Sequence, residues 1–281
     1  AGAVVCDGGG TVLLRRLLAR RGIPLVVDYP DRVDLFLANR LASRLHRRLV
    51  RSALRRAAGV TCTARDLLAE ARALNPRCRL IPNGAELDEK EPAPPPPLRE
   101  GRVTLGYVGA LEGWLDLDPL FTLAAADERV ELVLAGAGSL APRVEEAAAG
   151  SANITFLGRL PAERIPAVIE DFHLGLIPFA LDDLTHAVCP LKLFEYWERA
   201  VPVLTAPTRE MLALGHSFPY RDAGELAALV ERFRRDPGPF RQAAGEGRRL
   251  VAERYNWRRL GEEFLGAIRE WCGLAGAGAG R

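Results

Sequence analysis

The chain has 281 residues, enough for two ordinary domains, and its 48% hydrophobic and 26% charged residues predict a soluble globular protein. A net charge of +2 is too small to indicate bulk nucleic-acid binding, and no apolar run approaches the roughly 20 residues that a membrane span needs. The five cysteines are scattered and never spaced as C-x-x-C. Their pattern argues against a zinc site or a disulfide framework and predicts a reducing, cytoplasmic compartment.

The first part of the chain alternates short β-branched runs with helical patterns, which is typical of βαβ units and a parallel sheet. Strands are predicted at residues 3–6, 24–28, 59–61 and 79–82. Helices are predicted at residues 11–21, 35–58 and 64–74. Four strands are fewer than the six of a full doubly wound domain, so we expect this domain to be incomplete at its N-terminus. The only methionine is Met211, and we expect the chain to be an excerpt of a longer protein.

A stiff proline-rich segment, residues 90–98, separates this part from a second α/β pattern. Further strands are predicted at residues 102–109, 130–135, 153–157, 174–178 and 201–205, and later helices at 223–235, 240–253 and 257–271. The predicted fold is therefore α/β, with two Rossmann-like doubly wound parallel sheets. Residues 1–92 form the partial first domain, residues 93–254 the second, and residues 255–281 a helix that returns toward the first domain, followed by a tail.

Seven segments of the chain carry a family resemblance in their order. They are 81–84 (IPNG), 107–111 (YVGAL), 132–138 (LVLAGAG), 154–158 (ITFLG), 174–179 (LGLIPF), 189–197 (CPLKLFEYW) and 201–205 (VPVLT). Together with Trp257 at the start of the last helix, they resemble the GT-B glycosyltransferases of the bacterial envelope-polysaccharide type, a group 1 or family 4-like pattern. The resemblance implies a donor site on the second domain, facing a cleft, and an acceptor site on the first.

The same resemblance implies an activity. The chain is expected to be a metal-independent hexosyl- or related glycosyltransferase, which moves a sugar from a nucleotide-diphosphate donor to an envelope glycan or a lipid-linked acceptor. The nucleotide sugar is a substrate, with UDP favoured over GDP, and no cofactor is expected. The alternative is a non-catalytic GT-B module that binds nucleotide within a polysaccharide assembly complex.

The segment around Lys192 is the most informative for a binding site. Lys90 and Lys192 are the only lysines among 38 basic residues, so a lysine here is an unusual choice. With Pro190 as the first helical residue, Lys192 and Glu195 fall on one helical face. The ammonium group and the N–H groups of the helix start predict a diphosphate site. The resemblance implies that Glu195 contacts the nucleotide ribose, and the alternative is an ordinary surface ion pair.

Two strand-closing glycines complete the predicted donor site. We assign Gly109 to the diphosphate region and Gly158 with Arg159 to the base, because glycine lets backbone approach a ligand closely. The alternative for both is a tight strand-to-helix turn.

The sequence departs from the family pattern at the sugar. Many GT-B enzymes carry a glutamate eight positions before Glu195, where this chain has Ala187, and residues 109–112 lack the usual basic pair. Sugar recognition is then expected from the loop at residues 181–189. Its polar candidates are Asp182, Asp183, Thr185 and His186.

Asp28 and Asp31 are the candidate catalytic residues. They follow a strand of the first domain, so one of them could act as general base on an acceptor hydroxyl. The alternative is that an aspartate here caps the next turn.

Two further motifs suggest other chemistries. Residues 136–141 match the dinucleotide fingerprint G-x-G-x-x-A, but the next strand ends at Arg159 rather than at the acidic residue that would hold a ribose. Asp116 and Asp118 form a D-x-D pattern that precedes a helix, where aspartates favour the helix dipole. No metal site is predicted.

The helix predicted at residues 35–58 is strongly basic. Leucines recur at positions 37, 41, 45 and 49, with seven arginines between and after them. Such a helix can rest on anionic lipid, which would place the protein at the inner face of the bacterial plasma membrane. The alternative is an outer helix of a Rossmann domain with its arginines in water.

Overall fold

The computed structural model of the chain describes residues 3–7, 18, 20–36, 39–88 and 90–274. The chain divides into two compact units. Unit 1 comprises Ala1–Asn83, His186–Cys189 and Trp257–Arg281, and unit 2 comprises Gly84–Thr185 and Pro190–Asn256. The predicted domain boundary at residue 92 therefore falls inside unit 2. The start of unit 2, from Gly84 onward, is joined to the rest of that unit by a hydrogen bond from the Ala85 amide to the Tyr255 carbonyl at 2.9 Å.

Unit 1 contains a four-stranded parallel sheet in the order β1-β2-β3-β4. The strands are β1 (Val4–Asp7), β2 (Leu25–Tyr29), β3 (Gly59–Cys62) and β4 (Cys78–Leu80). β2 and β3 are almost wholly buried, which explains why they consist of short apolar, β-branched runs. All four lie within two residues of the strands predicted from the sequence.

Within the described residues of unit 1, two helices follow strands of this sheet, α1 (Arg40–Arg56) and α2 (Arg65–Arg72). The prediction of one helix over residues 35–58 was wrong at its start. The segment Val33–Phe36 is a separate 3₁₀ turn, and α1 begins only at Arg40, because the Asn39 side chain accepts hydrogen bonds from the Leu41 and Ala42 amides. The helix predicted at residues 11–21 lies largely outside the described residues.

Unit 2 contains a six-stranded parallel sheet in the order β10-β9-β8-β5-β6-β7, the order of a complete doubly wound domain. Its strands are β5 (Val103–Val108), β6 (Val130–Ala135), β7 (Ile154–Phe156), β8 (Leu174–Ile177), β9 (Val203–Thr205) and β10 (Phe218–Pro219). The winding direction reverses between β5 and β8. Sequence analysis missed β10, because it has only two residues and one of them is a proline, which is tolerated at a sheet edge.

The helices of unit 2 cover this sheet and enclose an aromatic core that includes Phe194, Trp197, Phe233 and Phe240. They are α3 (Asp118–Ala126), α4 (Ala141–Gly150), α5 (Ile165–Glu170), α6 (Asp183–His186), α7 (Leu191–Glu198), α8 (Arg209–Leu214), α9 (Ala223–Arg235) and α10 (Gly238–Glu253). The last residue of α6 already belongs to unit 1.

The last helix, α11 (Trp257–Cys272), belongs to unit 1 and packs on its β3 strand. A side chain at Gly59 would place its Cβ 1.9 Å from the Trp271 ring, so only glycine lets the helix approach this closely. Arg79 of β4 contacts Glu270 at 2.9 Å and also lies over the Trp271 ring. Among the helices that the structure describes, none is both long and apolar enough to span a membrane.

Candidate functional site

An open pocket of about 280 Å³ lies in unit 2 where three neighbouring strands end. It is bordered by the carboxyl ends of β5 and β6, by the loop after β7 and by the first turn of α7. Ligands of doubly wound sheets bind at this edge, close to the point where the winding reverses. Its wall is formed by Val108, Gly109, Ala110, Ala135, Gly136, Ala137, Arg159, Leu160, Ile165 and Lys192. The structure thus brings together three of the predicted donor-site residues: Gly109, Arg159 and Lys192.

The loop after β5 exposes its backbone to the pocket. The Gly109 amide donates to the Ala135 carbonyl at 2.9 Å, and the Tyr107 hydroxyl donates to the Ala110 carbonyl at 2.9 Å. A Cβ atom at Gly109 would lie 2.6 Å from that hydroxyl. Glycine at position 109 therefore leaves room for the Tyr107 hydroxyl, which holds the backbone of this wall by its hydrogen bond to Ala110.

Two glycines after β6 let the next loop pack directly on this one. A Cβ atom at Gly136 would lie 1.8 Å from the Gly109 carbonyl oxygen, and one at Gly138 would lie 2.3 Å from that of Leu111. The Leu111 amide also donates to the Ala137 carbonyl at 2.9 Å. Packing of backbone on backbone therefore accounts for the glycines of the G-x-G-x-x-A pattern.

Gly158 supports the pocket from the β7 side. It has a φ of 63°, a conformation that favours glycine, and its carbonyl accepts a hydrogen bond from the Gly136 amide at 2.8 Å. The turn carries the next residue, Arg159, to the pocket wall. The Arg159 side chain is exposed, so its guanidinium can reach a ligand from solvent.

Lys192 and Glu195 form an ion pair, with 2.5 Å between Nζ and Oε2. Both side chains are about three quarters buried. Lys192 lines the pocket, and Glu195 lies one turn further along α7, outside the wall. The prediction that Pro190 is the first helical residue is wrong. Pro190 precedes the helix in an extended conformation, and the first helical residue is Leu191.

Two polar residues of the loop that was expected to recognise a sugar, Asp182 and Thr185, form hydrogen bonds within the loop, whereas Asp183 is exposed. Asp182 Oδ1 accepts hydrogen bonds from the Leu184 and Thr185 amides, both at 2.9 Å. Thr185 is 1% exposed, and its hydroxyl donates to the Ala180 carbonyl. Because the side chain is buried and its proton is already donated, Thr185 is not available to donate a hydrogen bond to a sugar. His186 ends α6, outside the pocket wall, and Ala187 is buried.

The D-x-D aspartates lie in the loop after β5 and in α3. Asp116 Oδ1 accepts a hydrogen bond from the Asp118 amide at 3.2 Å, and Asp118 pairs with Arg143. Among the described residues, no group of three or more His, Cys, Asp or Glu side chains is arranged to hold a metal ion.

Asp28 and Asp31 lie together at the carboxyl end of β2 in unit 1. The Thr61 hydroxyl donates to Asp28 at 2.7 Å. Burial, and secondarily the Asp28 charge, raise the pKa of Asp31 to about 6. A carboxyl group with a pKa close to neutrality is suited to proton transfer, and sequence analysis could not distinguish it from Asp28 in this respect.

Sequence reasoning missed the apolar part of the pocket, Leu160 and Ile165, together with the backbone of Gly136 and Ala137. The available signal was positional. All four residues follow strands β6 and β7 of a parallel sheet, whose carboxyl ends meet at one edge.

Comparisons with known proteins agree with this architecture. The sequence profile of the family described as "Glycosyl transferase-like" matches residues 119–266, and that of the "Glycosyl transferase 4-like domain" matches residues 1–84. The chain is similar to a Bacillus subtilis (strain 168) protein named as the teichuronic acid biosynthesis glycosyltransferase TuaH, with 22% identity over 244 residues. The alignment covers 80% of the chain and 61% of TuaH, so the chain spans less than two thirds of this relative.

Solved structures share the fold at low sequence identity. Anabaena HepE in complex with UDP-glucose matches with a TM-score of 0.75 and 14% identity, over 95% of this chain and 78% of HepE. Sucrose-phosphate synthase from Thermosynechococcus elongatus matches with a TM-score of 0.77 and 18% identity, over 97% of this chain and 74% of that one. The two parallel-sheet units therefore correspond to the GT-B fold.

The raised pKa of Asp31 predicts a characteristic dependence of stability on pH. The folded state binds the proton of the Asp31 carboxyl more tightly than the unfolded state does. The wild type therefore loses stability as the pH rises from about 4 to about 6 and Asp31 ionises. We expect Asp31→Asn to become more stable than the wild type over this interval, by about 2–3 kcal/mol at its upper end. Urea unfolding of both proteins across the interval measures the difference.

Asp34 provides a control because its pKa is shifted in the opposite direction. The Arg32 guanidinium, bonded to Asp34 at 2.8 Å through two nitrogens, holds the pKa of Asp34 below its usual value against the opposing effect of burial. Asp34→Asn should therefore lose stability relative to the wild type, and the loss should shrink as the pH falls below 4. A pH-independent difference between the wild type and Asp31→Asn would contradict the assignment of the raised pKa.

Proposed function

The chain belongs to the glycosyl transferase-like family, and we propose that it transfers a sugar from a nucleoside diphosphate to an envelope glycan or its lipid-linked precursor. The observation that carries this proposal is the pocket of unit 2, in which two cationic side chains and a glycine-rich backbone converge at the carboxyl edge of a doubly wound sheet. Such a pocket suits an anionic nucleotide.

The diphosphate is assigned to Lys192 and the start of α7. The first amides of a helix have no partner within the helix, and α7 begins at Leu191, one residue before Lys192. Arg159, which also lines the pocket, adds a second positive charge. The charge needed for the diphosphate can therefore come from these two residues, although the basic pair expected after β5 is absent.

The ribose is assigned to Glu195. Its carboxylate is held by Lys192 at 2.5 Å, which fixes the side chain beside the pocket and leaves oxygen lone pairs for two vicinal hydroxyl groups. We propose UDP rather than GDP as the nucleotide. HepE, which shares this fold, has been solved in complexes with UDP and with UDP-glucose, and that supports the choice. The nucleotide sugar is the substrate in this proposal, and no metal is assigned a role.

Asp31 is the proposed general base for the acceptor hydroxyl. With a pKa of about 6 it is mostly ionised at neutral pH, yet more basic than an ordinary aspartate. Burial is the main cause of that raised pKa, and the Asp28 charge adds to it. Asp28, which accepts a hydrogen bond from the Thr61 hydroxyl, therefore acts through Asp31.

A non-catalytic nucleotide-binding module is the alternative function. The buried Ala187, at the position where many related enzymes carry a sugar-side glutamate, favours it. Incubation with UDP-sugars distinguishes the two functions, because only the enzyme releases UDP when an acceptor is present.

We also propose that α1 contacts an anionic membrane surface. Leu41 and Leu45 are 77% and 56% exposed, and the arginines around them are exposed as well. The buried face of the helix is formed instead by Val50, Ala53 and Leu54 in its second half. The first half of α1 thus presents apolar and basic groups side by side, the combination that binds the interface of anionic lipid.

Substitutions of Lys192 test the proposed diphosphate site. We expect Lys192→Ala to weaken UDP binding about ten- to a hundredfold and uridine binding by a clearly smaller factor, because both ligands lose the support that Lys192 gives to Glu195 but only UDP carries the charge that Lys192 meets. Lys192→Arg should restore only part of the loss, since the guanidinium is broader than the ammonium. Titration calorimetry with both ligands measures this. Arg164→Ala, an exposed arginine outside the pocket wall, is the control. Equal losses for UDP and uridine would reduce Lys192 to a structural role.

Vesicle binding tests the membrane proposal. The wild type should sediment with phosphatidylglycerol vesicles and not with phosphatidylcholine vesicles, and binding should fall with added salt. The double substitutions Leu41→Ser/Leu45→Ser and Arg44→Gln/Arg48→Gln should each weaken binding about tenfold or more. Leu212→Ser is the matched control, because Leu212 is 57% exposed on unit 2. Equal binding of the wild type and both double variants would exclude α1 as the contact.

A further inference from the structure

We propose that a second pocket in unit 2, between Tyr220 and Asp116, receives the hydroxyl-bearing edge of the donor sugar. The inference rests on the proposed function and names the residues that would read the sugar. It assigns this role to two side chains outside the loop at residues 181–189 where sequence analysis sought it.

The second pocket lies at the same edge of the sheet as the first. It has a volume of about 130 Å³ and is bordered by residues that follow β8, β9 and β10. Pro178, Phe179 and Ala206 form apolar walls, and Asp116, Tyr220 and Arg221 supply the polar groups. The strands β8 and β5 are neighbours, so the two pockets lie on opposite sides of the point where the winding reverses.

One loop connects the two pockets. The segment after β5 contributes Gly109 and Ala110 to the first pocket and Asp116 to the second. It is fixed over the end of β8, because the Asp116 amide donates to the Pro178 carbonyl at 2.8 Å and the Ala180 amide donates to the Trp114 carbonyl at 2.9 Å. In the proposed binding mode, a ligand whose diphosphate lies at Gly109 extends along this loop toward Asp116.

The hydroxyl of Tyr220 is a buried polar group in the second pocket that the fold does not explain. Its side chain is 3% exposed, and its hydroxyl finds no hydrogen-bond partner among the residues that the structure describes. Burial, and secondarily the charge of Asp116, raise the pKa of Tyr220, so the hydroxyl stays protonated and can donate. A buried hydroxyl without a partner costs stability, which is a reason to look for a ligand that satisfies it.

Asp116 determines which ligand fits. Its carboxylate is exposed and uses one oxygen for the Asp118 amide at 3.2 Å, which leaves lone pairs for a donor. A carboxylate repels phosphate and accepts from hydroxyl groups. Arg221 is already engaged by Glu225, through its amide at 2.9 Å and its guanidinium at 3.4 Å. The site therefore suits neutral hydroxyl groups, one donating to Asp116 and one accepting from Tyr220.

The size of the pocket fits part of a sugar. A water molecule occupies about 30 Å³ in the liquid, so the volume of the pocket corresponds to a few water molecules or one edge of a pyranose ring. A nucleoside is too large for it. The apolar walls can pack against the C–H groups of the ring, as in other small-molecule sites where few polar groups fix the orientation.

Binding of UDP and of UDP-sugars to the full chain separates this inference from the proposed function. Tyr220→Phe and Asp116→Asn should each weaken the binding of UDP-glucose or UDP-N-acetylglucosamine, whichever the wild type binds more tightly, about three- to thirtyfold. The affinity for UDP should stay within about twofold of the wild type. Tyr255→Phe and Asp171→Asn are the matched controls, because neither residue lines either pocket. Thermal melting accompanies the titrations, and Tyr220→Phe should melt at the same temperature as the wild type or higher.

The outcomes are distinct. If UDP binds the wild type and neither substitution changes the affinity for the UDP-sugar, the second pocket is not a sugar subsite. Equal losses for UDP and the UDP-sugar, or a lower melting temperature of Tyr220→Phe, would also overturn the inference, since they indicate a structural role. If the wild type binds neither UDP nor a UDP-sugar, the proposed function itself fails and the subsite fails with it.

Discussion

The candidate site depends on two loops whose backbones pack directly on each other. Where the loop after β5 meets the loop after β6, side chains at Gly109, Gly136 and Gly138 would collide with a carbonyl or hydroxyl oxygen at 1.8–2.6 Å. Amide-to-carbonyl hydrogen bonds join the two loops and extend to Gly158 after β7. The result is a rigid backbone surface at the carboxyl edge of the sheet, and the charged side chains are arranged around it.

The site carries few charges, and two of them form an ion pair. Lys192 and Glu195 bind each other across one turn of α7, so each fixes the other in position beside the pocket. An ion pair of this kind is compatible with the structural alternative, a surface pair that merely supports the helix. The position of Lys192 in the pocket wall, together with Arg159, is what favours a role in binding an anion. In unit 1, burial and the like charge of the neighbouring Asp28 raise the pKa of Asp31, which tunes this carboxylate toward proton transfer.

Most strands of both sheets could be predicted from the sequence, because short β-branched runs between helical patterns have few other interpretations. The two-residue β10 carries no such pattern, and the start of α1 depends on the Asn39 cap. The polar groups of the loop at residues 181–189 were indistinguishable from ligand contacts by residue type alone. Only the three-dimensional structure shows that the Thr185 hydroxyl donates to the Ala180 carbonyl. It also shows that the hydroxyl of Tyr220, an isolated tyrosine in no motif, has no hydrogen-bond partner within the described part of the chain.

The central claim is that the pocket at β5, β6 and α7 binds a nucleoside diphosphate with its ribose on Glu195. The most direct measurement compares the affinities of UDP and 2′-deoxy-UDP for the wild type and for Glu195→Ala by titration calorimetry. The account predicts that the wild type prefers UDP by about ten- to a hundredfold, because the missing hydroxyl removes one hydrogen bond to a charged group. It also predicts that Glu195→Ala binds both ligands equally. An undiminished preference for UDP in Glu195→Ala, or a wild type that does not distinguish the two ligands, would contradict it.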